Sequence, residues 1–196
     1  MSHTPRVLIA DDEPALLDLY DTWLDGTDAT VVRATCGAEA LSHCDEFDID
    51  VAILDRHMPR VSGDEVLDTL QERPTSPRVA FVTAATPDVR IVNLDIDAYL
   101  TKPVGREEFV DLVRSLIRRE QLPTAAERYV SKLSKRAALL NAESPAALQT
   151  DPLYVALEEE LSGLAKHIDA RHLDDPYLRR ALPDGGTTTM RLDPPA

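Results

Sequence analysis

Five short apolar segments alternate with segments of helical periodicity between residues 6 and 120, and this alternation constrains the fold most. The apolar segments lie at 6–10, 29–34, 51–54, 78–84 and 97–100. Between them, apolar residues recur every three or four positions, the spacing of a helix with one buried face. The third segment is apolar at every position, as in parallel strands covered on both sides. Strands that alternate with helices predict an α/β fold with a doubly wound, five-stranded parallel sheet.

The helices of this unit follow from the same periodicity. They are predicted at 14–24, 37–44, 63–74 and 105–120, with a short, weak helix near 87–94. The 105–120 segment has the clearest amphipathic pattern. Its apolar face comprises Phe109, Leu112, Val113, Leu116 and Ile117.

The pattern changes after Pro123. Residues 124–141 and 153–170 each carry an apolar stripe at helical spacing, with a turn region between them, so they predict a small α-helical hairpin. Such stripes are usually a core or a dimer seam, so the hairpin is a candidate surface for a homodimer. The predicted divisions are therefore 1–122, 123–175 and a disordered tail, 176–196.

Polar residues stand where the predicted strands end. Asp11 and Asp12 follow the first strand, Asp55 follows the third, Thr83 ends the fourth and Lys102 follows the fifth. In a parallel sheet the carboxyl ends of the strands share one edge, where ligands bind. The sequence therefore predicts that these five side chains meet at that edge.

The predicted edge cluster has the composition of a phosphoryl-transfer site. Three neighbouring carboxylates repel one another, and a divalent cation relieves that repulsion. Oxygen ligands suit Mg²⁺, which keeps coordination positions open for phosphate. Lys102 and Thr83 can bind phosphoryl oxygens, which leaves Asp55 as a nucleophile that forms an aspartyl-phosphate.

Four segments in this order resemble the receiver domain of two-component response regulators, over about residues 5–120. They are IADDE, LDRHMPRVSG, FVTA and DAYLTKP. They resemble, in turn, the family's acidic pair, the segment around its phosphorylated aspartate, its switch residue and its aromatic-x-x-Lys-Pro segment. The resemblance implies a flavodoxin-like receiver in which Asp55 accepts a phosphoryl group from a sensor histidine kinase, with Mg²⁺. Apart from phosphorylation and dephosphorylation of Asp55, it implies no enzymatic activity.

The same resemblance implies a role for each residue of the cluster. Thr83 and Tyr99 form a switch pair, and Lys102 contacts the phosphoryl group. Pro103 holds the loop that follows Lys102, through a cis peptide bond. The implied metal ligands are Asp55, Asp12 directly, Asp11 through water, and the backbone carbonyl of His57.

The region before Lys102 departs from the family pattern. The stretch from Thr83 to Lys102 is shorter than usual by about one helical turn, and it lacks the usual glycine before the aromatic residue. The fourth helix is therefore predicted to be short or irregular, and dimerisation through that region, common in the family, is not expected. The C-terminal half resembles the HalX domain that follows receivers in halophilic archaea, and only four of the 21 basic residues are lysines.

The same residues also suit other functions. A phosphatase of the haloacid dehalogenase type also uses Asp, Thr and Lys on a parallel sheet. It needs a second aspartate two positions after the nucleophile as acid and base, and this chain has His57 there. A receiver that is not phosphorylated is a further alternative, although every key position is present. His167 and His172 are five apart and are predicted to be solvated.

The formal net charge of −14 disfavours nucleic acid and anionic membranes as partners. A basic cluster between 114 and 136 runs against this charge. We expect it to pair with the acidic receiver; the alternative is a DNA-binding transcriptional regulator that contacts phosphates. The candidate contact residues are Arg118, Arg119, Arg128, Lys132, Lys135 and Arg136.

Two cysteines and no long apolar run predict a cytoplasmic protein without disulfides or membrane spans.

Overall fold

The computed structural model describes residues 4–119, 122–166, 168 and 176–177. Its centre is a five-stranded sheet with all neighbouring strands parallel, in the order β2-β1-β3-β4-β5. The strands are β1 (Arg6–Ala10), β2 (Thr30–Ala34), β3 (Val51–Leu54), β4 (Arg78–Thr83) and β5 (Ala98–Thr101). The predicted sheet and its strand positions are confirmed, and the apolar segments 51–54 and 79–83 are buried along their whole length.

Four α-helices flank the sheet: α1 (Pro14–Leu24), α2 (Gly37–Glu46), α3 (Gly63–Gln71) and α4 (Arg106–Arg118). α1 packs against α4, and α2 packs against α3. Between α1 and α4 the rings of Tyr20 and Phe109 stack with centroids 4.3 Å apart. α3 begins with a capping box, in which Ser62 and Glu65 satisfy each other's backbone amides. This cap fixes the start of α3 directly after the loop that carries Asp55.

The C-terminal segment contains α5 (Thr124–Ala142), α6 (Pro145–Leu148) and α7 (Pro152–Ala165). Two details of the predicted hairpin are wrong. The predicted turn region contains the short α6, which starts at Pro145 after the N-cap Ser144. The second hairpin helix ends at Ala165 rather than at 170, and the following Lys166 forms a turn.

The connection between β4 and β5 holds a 3-10 helix, Val89–Asn93, in place of a full α-helix. This confirms the predicted short or irregular fourth helix. A single 3-10 turn covers little of the sheet, and α5 packs onto β5 and onto this 3-10 helix instead. The C-terminal segment therefore completes the cover of the sheet that the shortened connection leaves open.

Polar bonds fix α5 against the sheet. Arg78, at the start of β4, pairs with Glu127 at 3.0 Å. Asp97, just before β5, accepts a hydrogen bond from Ser131 at 3.0 Å, and its other carboxylate oxygen accepts one from the amide of Val79. α5 is thus bonded to the amino-terminal ends of β4 and β5.

The side chain of Tyr177 lies in the core of the C-terminal helices. It is 1% exposed, and its hydroxyl shares a 2.7 Å hydrogen bond with Ser134 of α5. The predicted disordered tail begins at residue 176, so that prediction does not hold for Tyr177. The other residues of the predicted tail lie outside the described part of the chain.

A Gly63→Ala substitution should destabilise the fold beside Asp55. A Cβ atom at residue 63 would overlap the carbonyl oxygen of Asp55 and lie 2.9 Å from the Cα of Arg56. Because both neighbours are backbone atoms, we expect a loss of about 1–3 kcal/mol in the free energy of unfolding, measured by denaturant titration. Gly163→Ala is the control, since a Cβ there meets nothing within 4 Å and alanine favours the helix. Equal stability of the two variants would contradict the predicted clash.

The stability of the α5 contact should depend on pH through Lys135. The ammonium group donates to the carbonyl of Leu94 at 2.5 Å, and burial lowers the pKa of Lys135 to about 8 from its ordinary 10.5. Between these two pH values the unfolded chain holds a proton that the folded chain has released. The contribution of Lys135 to folding is therefore lowest below pH 8 and rises toward pH 10.5.

The measurement compares the native chain with Lys135→Met by chemical denaturation from pH 7.5 to 10. The unfolding free energy of the native chain should rise relative to the variant by on the order of 1–3 kcal/mol. Lys166→Met, at an exposed lysine after α7, serves as control. Because this variant keeps Lys135, its unfolding free energy should rise with pH as that of the native chain does. A difference between native chain and Lys135→Met that stays constant with pH would refute the prediction.

Candidate functional site

Extensions of β1, β3 and β5 bring Asp11, Asp55 and Lys102 together at the carboxyl edge of the sheet. The ammonium group of Lys102 lies 2.7 Å from Asp11 Oδ2 and 2.6 Å from Asp55 Oδ2. The side chains are largely withdrawn from solvent, at 2% exposure for Asp11, 9% for Asp55 and 12% for Lys102. The predicted convergence of these groups is thus seen in the structure.

Backbone bonds that continue the sheet fix the positions of these residues. The amide of Asp55 donates to the carbonyl of Ala10 at 2.8 Å, and the amide of Lys102 donates to the backbone carbonyl of Thr83 at 2.8 Å. Each aspartate also accepts a bond from the amide two residues further on, Glu13 for Asp11 and His57 for Asp55, both at 3.0 Å. The peptide bond between Lys102 and Pro103 is cis, as the resemblance implied.

The surroundings of Asp55 favour its ionised form. Burial raises the pKa of Asp55, but hydrogen bonds from Lys102, the amide of His57 and Thr83 outweigh this and bring it below its ordinary value. Burial also raises the pKa of Asp11, and there the bond from Lys102 offsets it only in part. Burial lowers the pKa of Lys102, but its bonds to both carboxylates raise it above the ordinary value. Asp55 therefore keeps the negative charge that a nucleophilic carboxylate needs.

Three carboxylates of the edge form a group that fits a divalent cation. Ligand oxygens of Asp11, Asp12 and Asp55 all lie within 4.8 Å of one another, and Asp12 is exposed whereas the other two are buried. This all-oxygen donor set, open on one side to water, suits Mg²⁺. Within the described residues it is the only such group found. That the backbone carbonyl of His57 is a further ligand stays a prediction. The amide of the same residue donates to the carboxylate of Asp55.

The two residues of the predicted switch pair both contact Ala85, in the loop that follows β4. Thr83 is fully buried, and its hydroxyl oxygen accepts a bond from the amide of Ala85 at 3.3 Å. Tyr99 is 1% exposed, and its hydroxyl donates to the carbonyl of Ala85 at 2.7 Å. Both side chains of the switch pair are thus bonded to the backbone of the loop after β4.

Sequence reasoning missed Arg56, the residue after Asp55. Its guanidinium forms a two-pronged ion pair with Asp64 in the first turn of α3, at 3.0–3.2 Å. The same group lies over the ring of Phe81, 5.4 Å from its centroid. An arginine directly after a strand-ending aspartate, followed eight positions later by an acid, is the signal that could have indicated this contact.

The basic cluster is engaged largely within the chain. Arg119 is 1% exposed and donates to the carbonyl of Asp97, and Lys135 is 6% exposed. Contrary to the prediction, neither residue therefore belongs to an accessible contact surface. Lys132 and Arg136 pair with Glu160 and Glu158 of α7 rather than with receiver carboxylates. The exposed members are Arg114, Arg118 and Arg128. His167 and His172 lie outside the described residues.

Comparison with known proteins agrees with this site. The family model of the response regulator receiver domain matches residues 7–114. The chain therefore belongs to the response regulator receiver family. Within the described part of the chain, none of the helices has the length and apolar character needed to cross a bilayer.

Relatives with longer chains share this part. A protein of Haloferax volcanii described as a transcriptional regulator is 42% identical over 133 residues, which are 68% of this chain and 23% of that protein. The transcriptional regulatory protein KdpE of Mycobacterium tuberculosis is 34% identical over 63% of this chain and 56% of its own length. The protein CutR of Streptomyces coelicolor is 38% identical over 60% and 56%, respectively. The chain thus spans about half or less of the length of these relatives.

Solved receiver structures match the first part of the fold. The receiver domain of the Francisella response regulator 1452 superposes with a TM-score of 0.56 at 27% identity, over 59% of this chain and 98% of that one. A CheY-like receiver domain protein from Methanospirillum hungatei gives 0.55 at 27% identity, over 61% and 98%. Both matches cover a nearly complete receiver and leave the remainder of this chain unmatched.

Replacing Lys102 with methionine should make the fold depend on a divalent cation. The substitution removes the positive charge between two buried carboxylates, which should cost about 3–5 kcal/mol of unfolding free energy. Because Mg²⁺ can supply that charge without competition from the ammonium group, it should raise the melting temperature of the variant more than that of the native chain. Thermal denaturation at fixed ionic strength measures this.

Lys132→Met is the matched control, because its ion pair with Glu160 lies in the C-terminal helices. Its response to Mg²⁺ should equal that of the native chain. A Lys102→Met variant whose melting temperature responds no more strongly than these two would refute the predicted charge balance.

Proposed function

We propose that the chain is a phosphorylation-dependent response regulator whose phosphoacceptor is Asp55. The observation that carries this proposal is the position of the Lys102 ammonium group, within 2.7 Å of both Asp11 and Asp55. A structural ion pair needs one carboxylate for one ammonium group. Two buried carboxylates and the nearby Asp12 give an excess of negative charge, as a site for a cation and a phosphoryl group requires.

The proposed reaction transfers a phosphoryl group from a phosphohistidine of a sensor kinase. A carboxylate oxygen of Asp55 forms a new bond to phosphorus, the phosphorus–nitrogen bond breaks, and the histidine nitrogen keeps that electron pair. The low pKa of Asp55 leaves its carboxylate free of a proton before attack. When bound by Asp11, Asp12 and Asp55, Mg²⁺ supplies charge neutralisation for the phosphoryl oxygens.

Lys102 and Thr83 serve the transferred group. The ammonium group of Lys102 can exchange one of its carboxylate contacts for a phosphoryl oxygen, since it already lies against Asp55. The Thr83 hydroxyl, buried beside Asp55, can donate to a second oxygen. A hydroxyl drawn toward phosphate would shift its bond with the amide of Ala85, and the loop after β4 would respond.

The proposed output runs through the C-terminal helices, by protein–protein interaction or dimerisation. α5 is bonded to Asp97, which directly precedes β5 and lies two residues before Tyr99, so a change at the switch pair has a short path to it. We further propose that these helices form a HalX-like domain and that the protein acts in the cytoplasm of a halophilic archaeon. The support is the low lysine content together with the Haloferax relative.

Phosphorylation-dependent DNA binding is the alternative output, favoured by the relatives named transcriptional regulators. Arg119 and Lys135 are buried, and Lys132 and Arg136 are paired with acids. The exposed arginines 114, 118 and 128 would have to make the phosphate contacts. The strongly negative charge of the chain opposes this output, and we favour the protein partner.

The proposal predicts that a small phosphodonor labels Asp55. Incubation with acetyl phosphate and Mg²⁺ should add one phosphoryl group to the native chain, detected by mass spectrometry of the intact protein. Asp55→Asn should remain unlabelled because its amide is not a nucleophile. Asp48→Asn is the matched control, since this exposed aspartate precedes β3 at the opposite edge of the sheet, and it should be labelled normally. Equal labelling of Asp55→Asn and the native chain would overturn the proposal.

A further inference from the structure

A cavity of about 530 Å³ lies between the sheet and α5, at the amino-terminal ends of β4 and β5. Its walls come from the end of α3, the start of β4, the segment that precedes β5, and one face of α5. This is the edge of the sheet opposite to the one that holds Asp55, so the cavity is separate from the proposed phosphorylation site. Its volume falls in the range of small-molecule sites, roughly 300–1,000 Å³.

Lys135 of α5 lines this cavity, and within the described part of the chain its ammonium group is bonded by backbone carbonyls alone. The side chain is buried, and it donates to the carbonyls of Leu94, at 2.5 Å, and Val92, at 3.4 Å. Both of these residues line the same cavity. An ammonium group has three N–H donors, so these bonds leave a third donor for another partner. A buried charge that no opposite charge pairs with is costly, and an anion in the cavity would relieve that cost.

Two further cations of α5, Arg128 and Lys132, line the same wall. Steps of four and three positions separate Arg128, Lys132 and Lys135, a spacing that places residues on one face of a helix. Arg128 is exposed, and Lys132 is paired with Glu160 of α7 at 2.5 Å. Burial lowers the pKa of Lys135, and the positive charge of Lys132 lowers it further. The wall that α5 contributes is therefore basic along its length.

The acids that line the cavity are bound elsewhere or exposed. Glu127 is paired with Arg78 at 3.0 Å, and Asp97 accepts from a backbone amide and from a serine hydroxyl of α5. The third acid, Asp95, is exposed in the segment before β5. Burial lowers the pKa of Lys135 by more than the charges of Asp95 and Asp97 raise it. These acids therefore do not supply the counter-charge that the buried ammonium group needs.

We propose that this cavity binds a small organic anion, a carboxylate or a phosphate monoester with an apolar body. The anionic group accepts from the ammonium group of Lys135 and from the guanidinium of Arg128. The apolar body contacts the half-buried side chains of Val92 and Leu94. Because such a ligand contacts α5 and the segment before β5 together, its binding holds the C-terminal helices on the sheet. Binding at this site does not require phosphorylation of Asp55.

The first experiment compares benzoate with benzamide, a neutral analogue of nearly the same shape. Each is added to the full chain, labelled with ¹⁵N, at fixed ionic strength, and the backbone amide signals are followed by NMR. Benzoate should cause saturable shifts at Leu94 and Lys135, with about tenfold higher affinity than benzamide, because only benzoate offers a charged acceptor to the ammonium group.

Phenyl phosphate is the second anion, and the tighter of the two anions identifies the favoured acidic group. Two results would overturn the proposal. One is benzamide that binds as tightly as benzoate. The other is a set of shifts, with both anions, that spreads over the amides of exposed arginines and does not saturate.

The second experiment repeats the titrations with variants of the basic wall. In Lys135→Met the preference for benzoate over benzamide should disappear. Arg128→Gln changes an exposed side chain, so it should leave the fold intact and weaken benzoate binding by about two- to fivefold. Arg114→Gln, at an exposed arginine of α4 outside the cavity, is the matched control and should bind as the native chain does.

A Lys135→Met chain that keeps the tenfold preference for benzoate would contradict the proposed contact. So would an Arg128→Gln chain with the affinity of Arg114→Gln. The comparison of benzoate with benzamide on the native chain, together with Arg128→Gln, decides the question even if Lys135→Met does not fold.

Discussion

The ammonium group of Lys102 between Asp11 and Asp55 is the interaction on which the geometry of the site depends. Lys102 follows β5 and its partners follow β1 and β3, so the group reaches across the end of β4 to join separate strands. A buried ammonium group is costly unless it is paired, and buried carboxylates are costly for the same reason. One cation against two carboxylates leaves the edge negative. That excess is the reason why we propose a divalent cation at this edge, with Asp12 as a further ligand in its exposed position.

The second constraint is the cover of the sheet beside β5. A parallel strand is buried on both faces, and the 3-10 helix between β4 and β5 is too short to cover one of them. α5 supplies the missing cover from the C-terminal segment, which makes that segment part of the receiver's packing and more than an appended module. The predicted boundary at 122–123 thus divides two stretches of sequence that share one set of contacts, including Arg78 with Glu127 and Asp97 with Ser131.

The features that sequence reasoning predicted are those with a local signal. Apolar segments that end in Asp11, Asp55 and Lys102 identify strand ends, and a parallel sheet necessarily brings those ends to one edge. Several of the features it missed depend on partners far apart in the chain. The cluster from 114 to 136 has one basic composition, yet Arg119 is bonded at Asp97 while Lys132 is paired with Glu160. The composition of the cluster does not indicate which residue is bonded to the receiver and which is paired within the C-terminal helices. Tyr177 was missed because its partner, Ser134, is 43 positions away.

Strand β5 is the element through which the site and the C-terminal helices can influence each other. Tyr99 on this strand contacts the loop after β4, and Asp97 just before it contacts α5 and the end of α4. Coupling between two sites requires an element with two arrangements that both sites bias. A rigid strand bonded to β4 along its length changes little, so the second arrangement has to lie in its side chains and flanking loops. The loop after β4 is the candidate, because Thr83 and Tyr99 both bond to Ala85 in that loop, so a change at either side chain would alter how the loop is held.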